Sequence, residues 1–481
     1  MADFIYQNLP EAEKEKKHDE IASAQKQKDE NDFHRALGPF SKKCLRAALA
    51  LGTRLICRKA APVLAEEILA TVFRKIPKNQ KRLKVFMGTK LLEAHYYAQH
   101  YLEAKKLYDE IQGSIEENGP LSKILKTLAA LAYLPTLIEQ HCFEEAQKLI
   151  REHLDLFGGK NHFMAVPLNN FRAWILYKKY HSEAGGTSEL LEEARKIYEE
   201  TEGLEEKLPH HQKNLIRNNE AGIVLQALGL HDLAARKLKE KLDRLEKNPN
   251  LFIEFATLLR LAEVCRRKKD NEKAMSYAEK AYAMAQRSRS GKWIQHAHQI
   301  LACLYQDIGI GLLFKRDPEA KTYFERALKE NQCCLAAAAC LEKREERKSN
   351  QVTTLLRKGQ CHQELGNWNL ALEHFHAVKD FKPSNLLASM ALLGTAECQI
   401  EKGNVAHAEQ NLGKIPDLLK GLPEYFANTI AFKVQLAMVR CFAKKNQREK
   451  AKEYLKKTAV FIQKDGELLQ EYQYFESQMG L

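Results

Sequence analysis

Small and bulky residues alternate along this chain at helical spacing. In the stretch RKGQCHQELGNWNLALEHFHAVKDFKP, from Arg357 to Pro383, small residues stand at Gly359, Gly366 and Ala371, and bulky ones at Trp368 and Phe375. Residues three and four apart share one face of a helix, so Trp368, Ala371 and Phe375 form a single stripe. A small side chain inside such a stripe lets two helix backbones approach where they cross. The same anchor with flanking bulk recurs at Ala104, Ala146, Ala194, Ala234, Ala274, Ala320, Ala408 and Ala451, at spacings of 37 to 51 residues. One helix pair cannot bury its own apolar face, so such pairs must stack. The pattern predicts an all-α chain of stacked antiparallel helix pairs.

Glycines mark the first helix of a pair. Gly359 precedes Gly366 by two turns, and Gly222 keeps the same separation from Gly229 ahead of Ala234. A glycine inside a helix costs about 1 kcal/mol relative to alanine, so each needs a packing or turn reason. Gly222 and Gly359 are expected at close approaches, and Gly229 and Gly366 at left-handed turn positions.

These residues resemble the tetratricopeptide repeat. Gly359, Gly366, Trp368, Ala371, Phe375 and Pro383 match that motif's small, turn, bulky, small, aromatic and closing positions in order and spacing, with His362 where an aromatic is usual. The resemblance implies a right-handed superhelical solenoid of antiparallel helix pairs. Spacings near 40 are similar to the extended repeats of kinesin light chains and of the cell-polarity adaptors that bind G-protein regulators. The expected organisation is a polar N-terminal arm or exposed helix over 1–40, an N-terminal helical cap over 41–80, and an array of about nine units over 81–481. HSEAGGTSE (His181 to Glu189) reads as an insertion in the turn of the third unit. ENQCCLAAAACLEKREERKSN, before the Ala371 unit, reads as one lengthened helix with a basic end.

Composition agrees with a helical, soluble chain: 44% of residues are apolar and 29% charged, with few prolines and glycines. The N-terminus lacks a signal-peptide core. The stretch CLRAALALGTRLICRKAAPVLAEEILATVF is broken by charges short of a membrane span. A cytoplasmic location, with the nucleus open, and no membrane insertion are therefore expected. Eleven cysteines in apolar helical patterns read as reduced core thiols. The net charge of +13 permits an anionic partner, yet 63 acidic residues are interleaved with 76 basic ones.

Motifs for catalysis are missing. Gly159-Lys160 and Gly291-Lys292 lack the remainder of a phosphate loop, DIGIG (Asp307 to Gly311) lacks its third glycine, and there is no nucleophile elbow or zinc-protease motif. The paired histidines His210-His211, His296/His298 and His374/His376 lack the converging ligands a metal requires. No enzyme activity, cofactor or metal is expected.

In a stacked solenoid the first helices line a groove. Asn170, Trp174 and Tyr177 share a face at i, i+4 and i+7. Aligning Asn169-Asn170 with Asn218-Asn219 makes Asn219, Ile223 and Gln226 the neighbouring row, followed by Glu263 and Arg266. An asparagine both donates and accepts, so it can clamp an extended main chain. Similarly placed asparagines do so in the arrays this chain resembles. The candidate peptide contacts are therefore Asn170, Trp174, Tyr177, Asn219, Gln226 and Arg266. The expected function is a non-enzymatic scaffold or adaptor holding a peptide or helix of a partner protein. The alternative is an RNA-binding helical repeat with a basic channel, to which the interferon-induced tetratricopeptide family is similar in length and repeat only.

Overall fold

The computed structural model describes residues 32, 35–58, 61–115, 119–157, 161–182, 187–208, 220–247, 249–288, 291–339, 344–420, 422, 424–464, 472–473 and 476. Most of the arm expected over 1–40 lies outside them. The described residues form 21 helices and no strand. Helices α1 (Lys42–Cys57) and α2 (Pro62–Lys75) make a first pair without the motif. The repeats follow as α3 (Lys81–Ala98) with α4 (Tyr101–Ser114), α5 (Pro120–Glu139) with α6 (Phe143–Asp155), and α7 (His162–Ser182) with α8 (Ser188–Glu206). Next come α9 (Ala221–Ala227) with α10 (His231–Lys247), α11 (Leu251–Arg267) with α12 (Asn271–Ser288), and α13 (Gly291–Phe314) with α14 (Ala320–Ala339). The last are α15 (Arg344–Glu364) with α16 (Trp368–Lys379), α17 (Asn385–Glu401) with the short α18 (Val405–Leu412) and α19 (Ile415–Leu419), and α20 (Glu424–Lys444) with α21 (Arg448–Lys464).

One turn recurs between paired helices. Gln99, His141, Gly229, Lys269, Gly366, Gly403 and Asn446 all have left-handed φ, from 57° to 81°. The residue after each donates its N–H to the carbonyl five residues back, as in His100 to His95 and Asn367 to His362, over 2.8–3.0 Å. This closure satisfies the last carbonyls of the first helix. In these seven turns the anchor alanine comes five residues after the left-handed residue, and all nine anchors are at most 5% exposed. Only Gly229, Gly366 and Gly403 use glycine at the left-handed position. The other four are side chains that pay the small left-handed penalty because the closing hydrogen bonds hold them there.

The expected close approaches are present. A Cβ on Gly222 would lie 2.6 Å from the Leu238 side chain, and one on Gly359 would lie 2.6 Å from the Phe375 ring. Gly394, on the following pair, meets the same ring, at 2.3 Å. One expectation fails: the segment before Ala371 is not a single lengthened helix. Helix α14 ends at Ala339 and α15 begins at Arg344, so the stretch is divided between a second helix and the next first helix.

Internal contacts divide the chain into two units: Met1–Lys179, Glu193–Glu220 and Glu240–Glu254 form unit 1, and Tyr180–Glu192, Ala221–Lys239 and Phe255–Leu481 form unit 2. In unit 1 a continuous apolar core runs from Ala36 through α1 to α7. Asn250, 2% exposed, accepts the N–H groups of Phe252 and Ile253 and reaches the Tyr97 hydroxyl at 3.4 Å. The Phe252 ring stacks on Tyr97 at 4.5 Å. The start of α11 is thereby tied to the end of α3. Unit 2 instead carries a series of local cores between successive pairs. Two first helices, α5 and α13, are long and apolar enough by length and composition to cross a membrane; 44% and 50% of their most apolar windows are buried in the fold.

Polar links join successive first helices in unit 2. Arg266 on α11 pairs with Asp307 on α13, Gln306 donates to Gln360 on α15 at 3.1 Å, and Gln363 donates to Glu397 on α17 at 2.7 Å. Glu401 then pairs with Arg440 on α20. In unit 1, Lys178 on α7 pairs with Glu139 on α5 at 2.8 Å. All ten described cysteines are free thiols. Burial pushes Cys361 and Cys398 up to about 12, well away from the reactive thiolate.

Candidate functional site

Helix α7 bears three of the six residues singled out from the sequence, and the structure separates them. Asn170 is 1% exposed, and neither its amide nitrogen nor its amide oxygen has a hydrogen-bond partner. Its main-chain carbonyl accepts the Tyr198 hydroxyl of α8 at 3.4 Å. Asn331 of α14 is in the same state within unit 2. Trp174 is half-buried, its ring 5.9 Å from that of Phe171, with the Lys178 ammonium 5.6 Å from its centre. Tyr177 is buried.

The remaining candidates stand elsewhere. Asn219 lies outside the described residues. Gln226, half-buried on α9, has a buried and unpartnered amide oxygen. Arg266 bonds Glu263 at 2.7 and 2.8 Å and pairs with Asp307. Burial favours the neutral acid at Glu263, but Arg266 and Arg267 outweigh it and hold the carboxyl well below the usual range.

The residue that opens onto free space is the one before Asn170. Asn169 lines a pocket of about 340 Å³ with Leu154, Asp155, Phe157, Asn161, Ala165 and Leu204. Three elements of unit 1 build it: the end of α6, the first half of α7 and the end of α8. Asn161 helps set the entry to α7, its side-chain oxygen accepting the Met164 N–H at 3.3 Å. Most of the lining is apolar, and the polar groups are two asparagines and a carboxylate. No cation lines it. Such a wall suits one or two apolar side chains of a ligand, with amides left over to bond its main chain. The sequence reading chose Asn170 as the groove-facing residue, yet Asn170 is buried and Asn169 lines the pocket, because helix rotation is set by packing against α6 and α8.

No protein-family model and no curated protein matches this sequence. Solved structures do resemble the fold. The apo form of the quorum sensor NprR from B. thuringiensis aligns over 78% of this chain and 97% of its own, at 13% identity and a TM-score of 0.56. A Rap protein complexed with competence and sporulation factor aligns over 82% and 96%, at 16% identity and a TM-score of 0.48. A human IFIT1 dimer with m7Gppp-AAAA aligns over 95% and 96%, at 13% identity and a TM-score of 0.45. At 13% identity the likeness to NprR is one of fold. The recurring closed turn, the buried anchors and this likeness agree, and the chain takes the tetratricopeptide-type helical-repeat fold.

Proposed function

We propose that the chain is a non-enzymatic scaffold that binds a short peptide segment of a partner protein, with the α6–α7–α8 pocket seating a side chain and Asn169 bonding the main chain beside it. Structures of this fold include one solved with its cognate peptide and one with m7Gppp-AAAA. The choice between peptide and RNA therefore rests on this chain's own residues. The composition of the pocket carries it: its described lining is an apolar wall, two asparagines and Asp155, with no lysine or arginine among those residues. Among the described lining residues a phosphate backbone meets that carboxylate and no cation to replace its counterions. Pairing supports the same reading, since Lys178, Arg266 and Arg440 on the first helices are each bound to a carboxylate.

The test is selection from a displayed random-peptide library on the full chain, followed by affinities of the selected peptides for Ala165→Trp and Asn169→Ala. Filling the pocket with Trp should weaken binding at least about tenfold, with little dependence on salt. Peptides that bind both variants as tightly as wild type would remove the pocket from the proposal. Capture of an RNA oligonucleotide with a steep salt dependence, and no peptide selected, would favour the nucleic-acid reading.

A further inference from the structure

A second cluster lies in unit 1, at the turn joining α3 to α4. Glu66 on α2, His95 in the last turn of α3 and His100 just ahead of α4 bring a carboxylate oxygen and two ring nitrogens within 4.8 Å of one another. Glu66 Oε1 stands 3.3 Å from His95 Nδ1, and Glu66 Oε2 stands 2.7 Å from His100 Nδ1. His95 is 7% exposed, and its Nδ1 is buried with no hydrogen-bond partner. That nitrogen faces the carboxylate without a well-aligned bond to it.

The repeat turn itself presents the two rings together. Gln99 takes the left-handed conformation, and the His100 N–H donates to the His95 carbonyl at 2.9 Å. This backbone bond fixes the two histidine main chains against each other, and α2 supplies the acid from the neighbouring pair. No other described turn of the series places a histidine on both sides of its closing bond.

We propose that Glu66, His95 and His100 form a binding site for a divalent first-row ion of the zinc class. Two imidazole nitrogens and one carboxylate are the donor set that such borderline ions take, and three protein ligands leave one position for water or an outside ligand. Ligands about 2 Å from a tetrahedral ion lie roughly 3.3 Å from one another. The Glu66–His95 separation already matches that, whereas Glu66–His100, at 2.7 Å, is a hydrogen-bond distance. The adjustment falls to His100, whose side chain is 45% exposed and must exchange that bond for the ion. Glu103, in the first turn of α4, acts electrostatically on His95 and adds negative potential beside the site.

The experiment uses the untagged full chain, stripped with chelator and titrated with zinc chloride by calorimetry near neutral pH. Cobalt(II) absorption serves as a second readout of coordination. The expected result is one equivalent bound with tetrahedral cobalt bands in the visible. His100→Gln, at an exposed position, should weaken zinc binding by at least about 100-fold while leaving the helical circular dichroism unchanged. Glu66→Gln should do the same, so a folding defect in one variant does not decide the outcome. Absence of zinc binding by the wild-type chain would overturn the site. So would zinc retained with unchanged affinity in both variants, or binding that disappears only when the thiols are alkylated.

Discussion

The Phe375 ring is held between two glycines from successive first helices. Gly359 belongs to its own pair and Gly394 to the next, and a Cβ on either would fall well inside contact distance of the ring. Phe375 is fully buried, so its ring cannot swing to solvent. Gly359→Ala should therefore lower stability by about 1–3 kcal/mol, read as a shift in urea midpoint at constant slope. Combined with Phe375→Leu, the added cost of the alanine should shrink, because the smaller side chain yields. Equal penalties in the two backgrounds would show that the ring is not what the glycine accommodates. Gly359 was legible in the sequence, since it repeats the offset of Gly222 from its anchor. Gly394 was not. It sits at a different offset from its own anchor, Ala408, and its reason lies on the preceding pair.

At the scale of the element, the recurring turn explains why degenerate sequence still gives regular structure. The closing backbone hydrogen bond is the same whether the left-handed residue is Gly366, Gln99, Lys269 or Asn446. A sequence reading that looks for glycine finds three such turns and misses the others. Side-chain links then set each first helix against the next. Arg266 belongs to this framework within unit 2, bonded to Glu263 on its own helix and to Asp307 on α13. Arg266→Met should cost on the order of 3 kcal/mol, since it leaves the half-buried Glu263 with only Arg267. The pH dependence has a definite sign. Glu263 is held below its unfolded value, so its contribution is present at neutral pH and is lost as acid protonates the folded carboxylate. In Arg266→Met the carboxyl protonates at higher pH, and the difference in stability from wild type should narrow on acidification. A difference that stays constant with pH would mean that Arg266 acts through packing alone.

At the scale of the molecule, contacts fall into two units, and each unit grows by packing a helix pair on its neighbours. Stability in such an array is a sum of local terms, so all-or-none unfolding is not required. Trp174 lies in unit 1, and Trp293 and Trp368 lie in unit 2. Urea titrations of Trp174→Phe and of the Trp293→Phe/Trp368→Phe pair, followed by fluorescence, should give midpoints that differ from each other and from that of the circular dichroism. Coincident midpoints for all probes would show one cooperative unit. Unit 1 has one feature that a linear array lacks: Asn250 and Phe252 return to Tyr97 across some 150 residues of chain.

The sequence by itself determined the secondary structure class, the pairing of helices and the close approaches at Gly222 and Gly359. These depend on residues three, four or a few turns apart, and helical periodicity fixes what such residues share. Only the tertiary structure decided which polar side chains are open. Asn170 turns inward and Asn169 outward, Arg266 is bound to Asp307, 41 residues away, and His100 meets Glu66, 34 residues away. Those outcomes follow from the rotation of each helix about its axis and the angle at which pairs stack. Both are set by the summed packing of many side chains, which no local pattern contains.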